Sequence, residues 1–82
     1  MTTQDDIREW LKQGKKEKAT HLIVVVDTFS YEDYPVFVKK KEDVNEVFNK
    51  YDKKGMQRVM EVYSYALDLE AQLAEKRAFH FD

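Results

Sequence analysis

The densest group of contact-making and ionisable side chains lies in residues 27–35, Asp-Thr-Phe-Ser-Tyr-Glu-Asp-Tyr-Pro. Three carboxylates (Asp27, Glu32 and Asp33) are interspersed with three aromatic rings (Phe29, Tyr31 and Tyr34), and Thr28 adds a hydroxyl. A connecting loop ordinarily relies on Gly, Asn or Ser, yet this stretch holds no glycine. Rings placed where turn residues belong supply contact area at low entropic cost, which suits recognition better than bond-making. Asp27 is expected to close an Asx-turn on the backbone after it, assisted by Thr28. The competing expectation is that Phe29 and Tyr34 fold back over the sheet end and the carboxylates merely solvate the loop. As metal ligands these carboxylates lack the regular oxygen spacing and the glycine of a calcium loop, and no metal is expected.

Catalytic chemistry has less to stand on. The chain has no nucleophile elbow, no phosphate-binding glycine loop, no paired-histidine metal motif and no cysteine. Asp27 and Glu32 form a carboxylate pair, but two acids in one loop are commonplace. Arg77 and His80 form a second candidate, an anion-binding pair near the C-terminus. His21, at the start of a strand, is expected to be packed or capping. A chain of 82 residues rarely encloses a water-excluding pocket unaided. No enzyme activity and no cofactor are expected.

The lysines suggest a different partner class. Lys15, Lys16 and Lys18 close the first helix, and Lys39, Lys40 and Lys41 close the second strand. A hairpin would bring both clusters to one sheet edge, where they could meet a phosphate-rich ligand or nucleotide. Lysines at a sheet edge also serve simply to discourage edge-to-edge association. Net charge is −2 and arginine appears only at positions 8, 58 and 77, so nucleic acid is disfavoured.

The elements that position these groups follow from periodicity. Residues 3–17 predict an amphipathic helix, capped by Thr3 with Asp6 at capping-box spacing and with Ile7, Trp10, Leu11 and Gly14 on one face. Gly14 either ends that helix or lets it lie close to a sheet. Residues 20–27 predict a strand apolar on both faces, hence central. Residues 34–40 predict a second strand, kept at an edge by Pro35. A helix over 42–51 with Val44, Val47, Phe48 and Tyr51 inward, a turn at Gly55, a strand over 56–65 and a short helix capped by Asp68 and reaching residue 76 complete the chain. The two phenylalanines of residues 77–82 suggest a docked tail. The fold expected is one α+β domain over residues 1–82, ordered α-β-β-α-β-α. Its three-stranded antiparallel sheet has the spatial order 2-1-3.

Composition bounds the setting. With 43% hydrophobic and 37% charged residues the chain reads as globular, and the absence of cysteine suits a reducing, cytoplasmic compartment. The longest aliphatic run, residues 22–26, is too short to span a bilayer, and the acidic opening does not read as a secretory signal. A last helix too short to cover the second sheet face alone would favour a homodimer.

The segment Thr20-His21-Leu22-Ile23-Val24-Val25-Val26-Asp27-Thr28-Phe29, followed by Glu32-Asp33-Tyr34-Pro35-Val36, looks like a group of small uncharacterised proteins. Those are encoded by bacteriophages, prophages and plasmids. The likeness extends to residues 56–63 and 77–80. It implies a bacterial cytoplasmic setting and an accessory role in a mobile element, such as modulating a host protein, without implying an activity. Together these features lead us to expect a non-catalytic interaction module that meets a protein partner through residues 27–35.

Overall fold

The run Leu22-Ile23-Val24-Val25 dictates the architecture, because all four side chains are almost completely buried and they point alternately to opposite faces. Such a strand must be covered on both sides. In the computed structural model, which describes residues 3–52, 55–75 and 78–81, it is the centre of the sheet. The elements are α1 (Gln4–Lys16), β1 (His21–Asp27), β2 (Glu32–Val38), α2 (Val44–Tyr51), β3 (Gln57–Ser64) and α3 (Leu69–Leu73). The sheet has the order β2-β1-β3, with both pairings antiparallel. This is the expected α+β topology.

One face of β1 packs Leu22 and Val24 with Tyr63, Ile7 and Leu11 of α1, Leu73 of α3, and Ala78 of the tail. The other packs Ile23 and Val25 with Val38, Val59 and Val62, beneath Val44, Val47, Phe48 and Tyr51 of α2. Each fully buried aliphatic side chain contributes about 1.5–3 kcal/mol. Although α3 is only five residues long, α1 shares its face, so the chain's own helices cover both sides of the sheet. The shortness of α3 therefore creates no need for a second copy.

Local signals set the ends. Thr3 and Asp6 form the expected capping box. Gly14 does not end α1; the helix runs on to Lys16, and the missing side chain lets it lie against Tyr65 and Phe37. The end itself is a Schellman turn, with Ala19 N–H on Gly14 O (2.8 Å) and Lys18 N–H on Lys15 O (3.2 Å). Lys18 takes the left-handed position usually given to glycine, at φ 60°. Asp43 caps α2 through Asn45 N–H, which starts that helix later than residue 42. Gly55, at φ 60°, is the turn residue expected before β3.

β3 does not keep simple alternation. Between Val24 and Val25 of β1 the register skips Met60, a β-bulge. Val59 and Val62, three positions apart, thereby face the same core, while Met60 packs on the other.

The two margins of the sheet are guarded by different devices. Along β3, Val59 N–H donates to Asp52 Oδ1 (3.3 Å), and Val62 exchanges bonds with the tail through Ala78 O (2.7 Å) and His80 N–H (3.0 Å). Ser64 N–H and C=O bond the side-chain amide of buried Gln72 at 2.8 and 2.9 Å. On β2, alternation decides the matter. Val62 turns its backbone away from β1, so Ile23 opposite it turns towards Val36, and Pro35 then faces the open margin. Pro35 has no N–H to offer there. Beyond it, Lys39 N–H and C=O are both taken by Glu42, at 2.9 Å each.

Candidate functional site

The expected 27–35 loop is much tighter than its composition suggested. β1 continues to Asp27 and β2 begins at Glu32, leaving a tip of residues 28–31. Two devices make the short turn possible without glycine. Asp27 Oδ1 accepts Phe29 N–H (2.8 Å), the expected Asx-turn, and Tyr31 adopts the left-handed conformation at φ 58° while its N–H bonds Asp27 O (2.6 Å). Thr28 N–H donates to Met56 O (2.7 Å), tying the tip to the residue before β3. A bulky residue in the left-handed region costs about 1–2 kcal/mol, so the chain accepts strain where it presents Tyr31.

Placement separates the predicted residues into two sets. Phe29 and Tyr31 stand out from the tip, 76% and 79% exposed, with Thr28 exposed beside them. Glu32 and Asp33 are strand residues at the start of β2, opposite Asp27 and Val26. They flank the rings with negative charge instead of belonging to the loop. Tyr34 folds back, as the competing expectation had it, whereas Phe29 does not. The Tyr34 ring packs against the α2 side of the core, and its hydroxyl donates to the Gln57 side chain. Burial first, then the nearby Tyr51 and Asp27, raises the Tyr34 hydroxyl pKa and keeps it protonated.

Met56 completes the tip and was missed in the sequence. It is 56% exposed and is joined to Thr28 through its carbonyl. Its position directly after the turn glycine was the available signal, since a hairpin tip and the entry to β3 meet at the same sheet end.

Of the two C-terminal candidates only His80 falls within the described residues, Arg77 lying outside them. His80 Nε2 lies 2.5 Å from Glu75 Oε2, and its backbone bonds Val62, which stands opposite Ile23 midway along β1. The tail is thus docked, with Phe81 meeting Phe48 edge-on at 5.3 Å. His80 already faces a carboxylate, so a free anion would meet repulsion there.

A polar group near the tail went unnoticed in the sequence. Tyr63 Oη donates to Glu61 Oε2 at 2.9 Å, and Glu75 lies near enough to act on it. Burial, then Glu61 and Glu75, pushes the Tyr63 hydroxyl far above its ordinary range, so it is a fixed donor and not a base. Among the described residues no three His, Asp or Glu side chains converge to hold a metal ion.

The lysine segments do meet, but as an ion pair. Lys39 Nζ contacts Glu17 O (3.1 Å) and Glu17 Oε1 (3.0 Å) at the negative end of α1. Hydrogen bonds from Lys39 and then Gln13 hold the Glu17 carboxyl below the usual carboxylate range. Lys53 and Lys54 lie outside the described residues. No helix of the described residues is long and apolar enough to cross a membrane. No family model matches the chain, and neither does any curated protein or solved structure.

Proposed function

We propose that the chain is a non-catalytic protein-interaction module whose hairpin tip binds a partner protein. The carrying observation is the exposure of Phe29 and Tyr31, 76% and 79%, on a turn anchored by three hydrogen bonds. Burying each ring against a partner would recover about 1.5–3 kcal/mol, and a turn already fixed loses little entropy on docking. Asp27, Glu32 and Asp33 flank the rings, so the partner surface that fits best is an apolar depression rimmed by Lys or Arg. The likeness of residues 20–36 to small phage, prophage and plasmid proteins supports an accessory role in a mobile element, acting on a host protein in the bacterial cytoplasm. The alternative is a small anion or nucleotide bound at the lysine edge, where Lys39 is already engaged by Glu17.

The test is capture of partners from a bacterial lysate by the wild-type chain and by the Phe29→Ala/Tyr31→Ala variant. Both substitutions remove exposed rings and should leave folding intact, which circular dichroism checks. Proteins lost specifically with the variant identify the partner. A captured set unchanged by the double substitution refutes the tip as the binding surface.

A further inference from the structure

We propose that the hairpin tip of one copy docks into the groove between α1 and α3 of another, making the chain its own ligand when no other partner holds the tip. This rests on the tip being a binding surface. The groove encloses about 200 Å³, below the size of a drug-like ligand site and suited to a single side chain. Its floor is Leu11, Leu69 and Leu73, and its rim carries Arg8, Lys12 and Lys15. One carboxylate, Glu70, also lines it and is bonded by Arg8 at 3.1 Å. Lys12 leans on Glu9 at 3.5 Å and remains largely exposed.

The tip has the opposite composition. It presents two rings, carboxylates at Asp27, Glu32 and Asp33, and no cation between residues 27 and 38. An apolar depression rimmed by cations is the surface this tip asks of a partner, and the chain carries one itself. The two surfaces are different patches, so the contact is head-to-tail. It is also small, which places it among weak associations seen at high protein concentration.

Complementation provides the test. Phe29→Ala/Tyr31→Ala abolishes the tip and keeps the groove; Lys12→Glu/Lys15→Glu reverses the rim and keeps the tip. Native circular dichroism and melting of both variants establish that they fold. In sedimentation equilibrium at low salt the wild type should self-associate and each variant alone should be monomeric. An equimolar mixture of the two should form a species of two-chain mass. Raising salt should weaken the wild-type association several-fold, since exposed charges are screened. A wild type that stays monomeric at the highest attainable concentration overturns self-docking. So does a wild type that associates while the mixture does not pair. Neither result touches capture of another protein by the tip, which stands or falls on the lysate comparison alone.

Discussion

Alanine at position 14 should destabilise this protein, although replacing a mid-helix glycine by alanine normally gains about 1 kcal/mol. A Cβ built at Gly14 would overlap Tyr65 Oη and stand 2.9 Å from Phe37 Cδ1. The Tyr65 hydroxyl cannot simply swing away, because it donates to Leu11 O at 2.7 Å inside the α1 contact. Overpacking of this kind costs about 1–3 kcal/mol. Losing the Tyr65 bond adds about 1 kcal/mol. Against the helix-propensity gain of about 1 kcal/mol, the net is a loss of about 2 kcal/mol, or roughly 8–16 °C in Tm for a domain this size. Thermal and urea denaturation of Gly14→Ala measure it directly. The mechanism has its own check, because Tyr65→Phe removes the atom that the new methyl would strike. The double variant should therefore lose less stability than the two single variants added together. A Gly14→Ala protein as stable as wild type, or additive losses in the cycle, would refute the close-contact explanation.

Lys18→Gly should raise stability by about 0.5–1 kcal/mol in urea titration, because it relieves the left-handed strain at the end of α1 at a small entropic cost. Tyr31→Gly should stabilise the hairpin to a similar degree while weakening partner capture, so stability and binding would move in opposite directions. Gln72→Ala removes both bonds between its amide and the Ser64 backbone in a buried site, and denaturation should show a loss of about 2–3 kcal/mol. Tyr65 is pushed up to about 12 by burial and by Glu17, and Tyr63 is pushed higher still. Raised folded values mean that the folded state holds these protons longer than the unfolded chain does. Their contribution is complete below the unfolded tyrosine value of about 10 and is lost as pH climbs from there through about 12. Phenolate absorbance and circular dichroism should therefore change together in that window.

What was legible in the sequence followed burial. Leu22 to Val25 announced a central strand because no other position satisfies two apolar faces, and the order 2-1-3 came with it. The inward face of α2 was equally plain, since Val44, Val47, Phe48 and Tyr51 leave only one side to bury. Features decided by single backbone torsions were not legible. Nothing in Tyr31 advertises a left-handed residue, and that torsion shortens the loop and transfers Glu32 and Asp33 to a strand. The Met60 bulge is hidden similarly, because Val59 and Val62 look out of phase until one residue is skipped. Gln72 was hidden by its polarity, which reads as surface until the Ser64 backbone is seen to need it. At the candidate site the aromatic content was visible, but the sorting of Phe29 outward and Tyr34 inward required the hairpin register.

The guarded margins of the sheet carry a consequence for how this molecule behaves in company. Along β3 the bonds to Asp52, the tail and Gln72 occupy the margin, and along β2 Pro35 interrupts the outward row of amides on which an extended segment from elsewhere would template. Strand exchange and fibril seeding are thereby discouraged, and a concentrated solution should leave an amyloid dye dark. Recognition is steered towards side chains, whose identity can change without disturbing the ladder beneath, so the surface is free to adapt to new associates while the scaffold stays as it is.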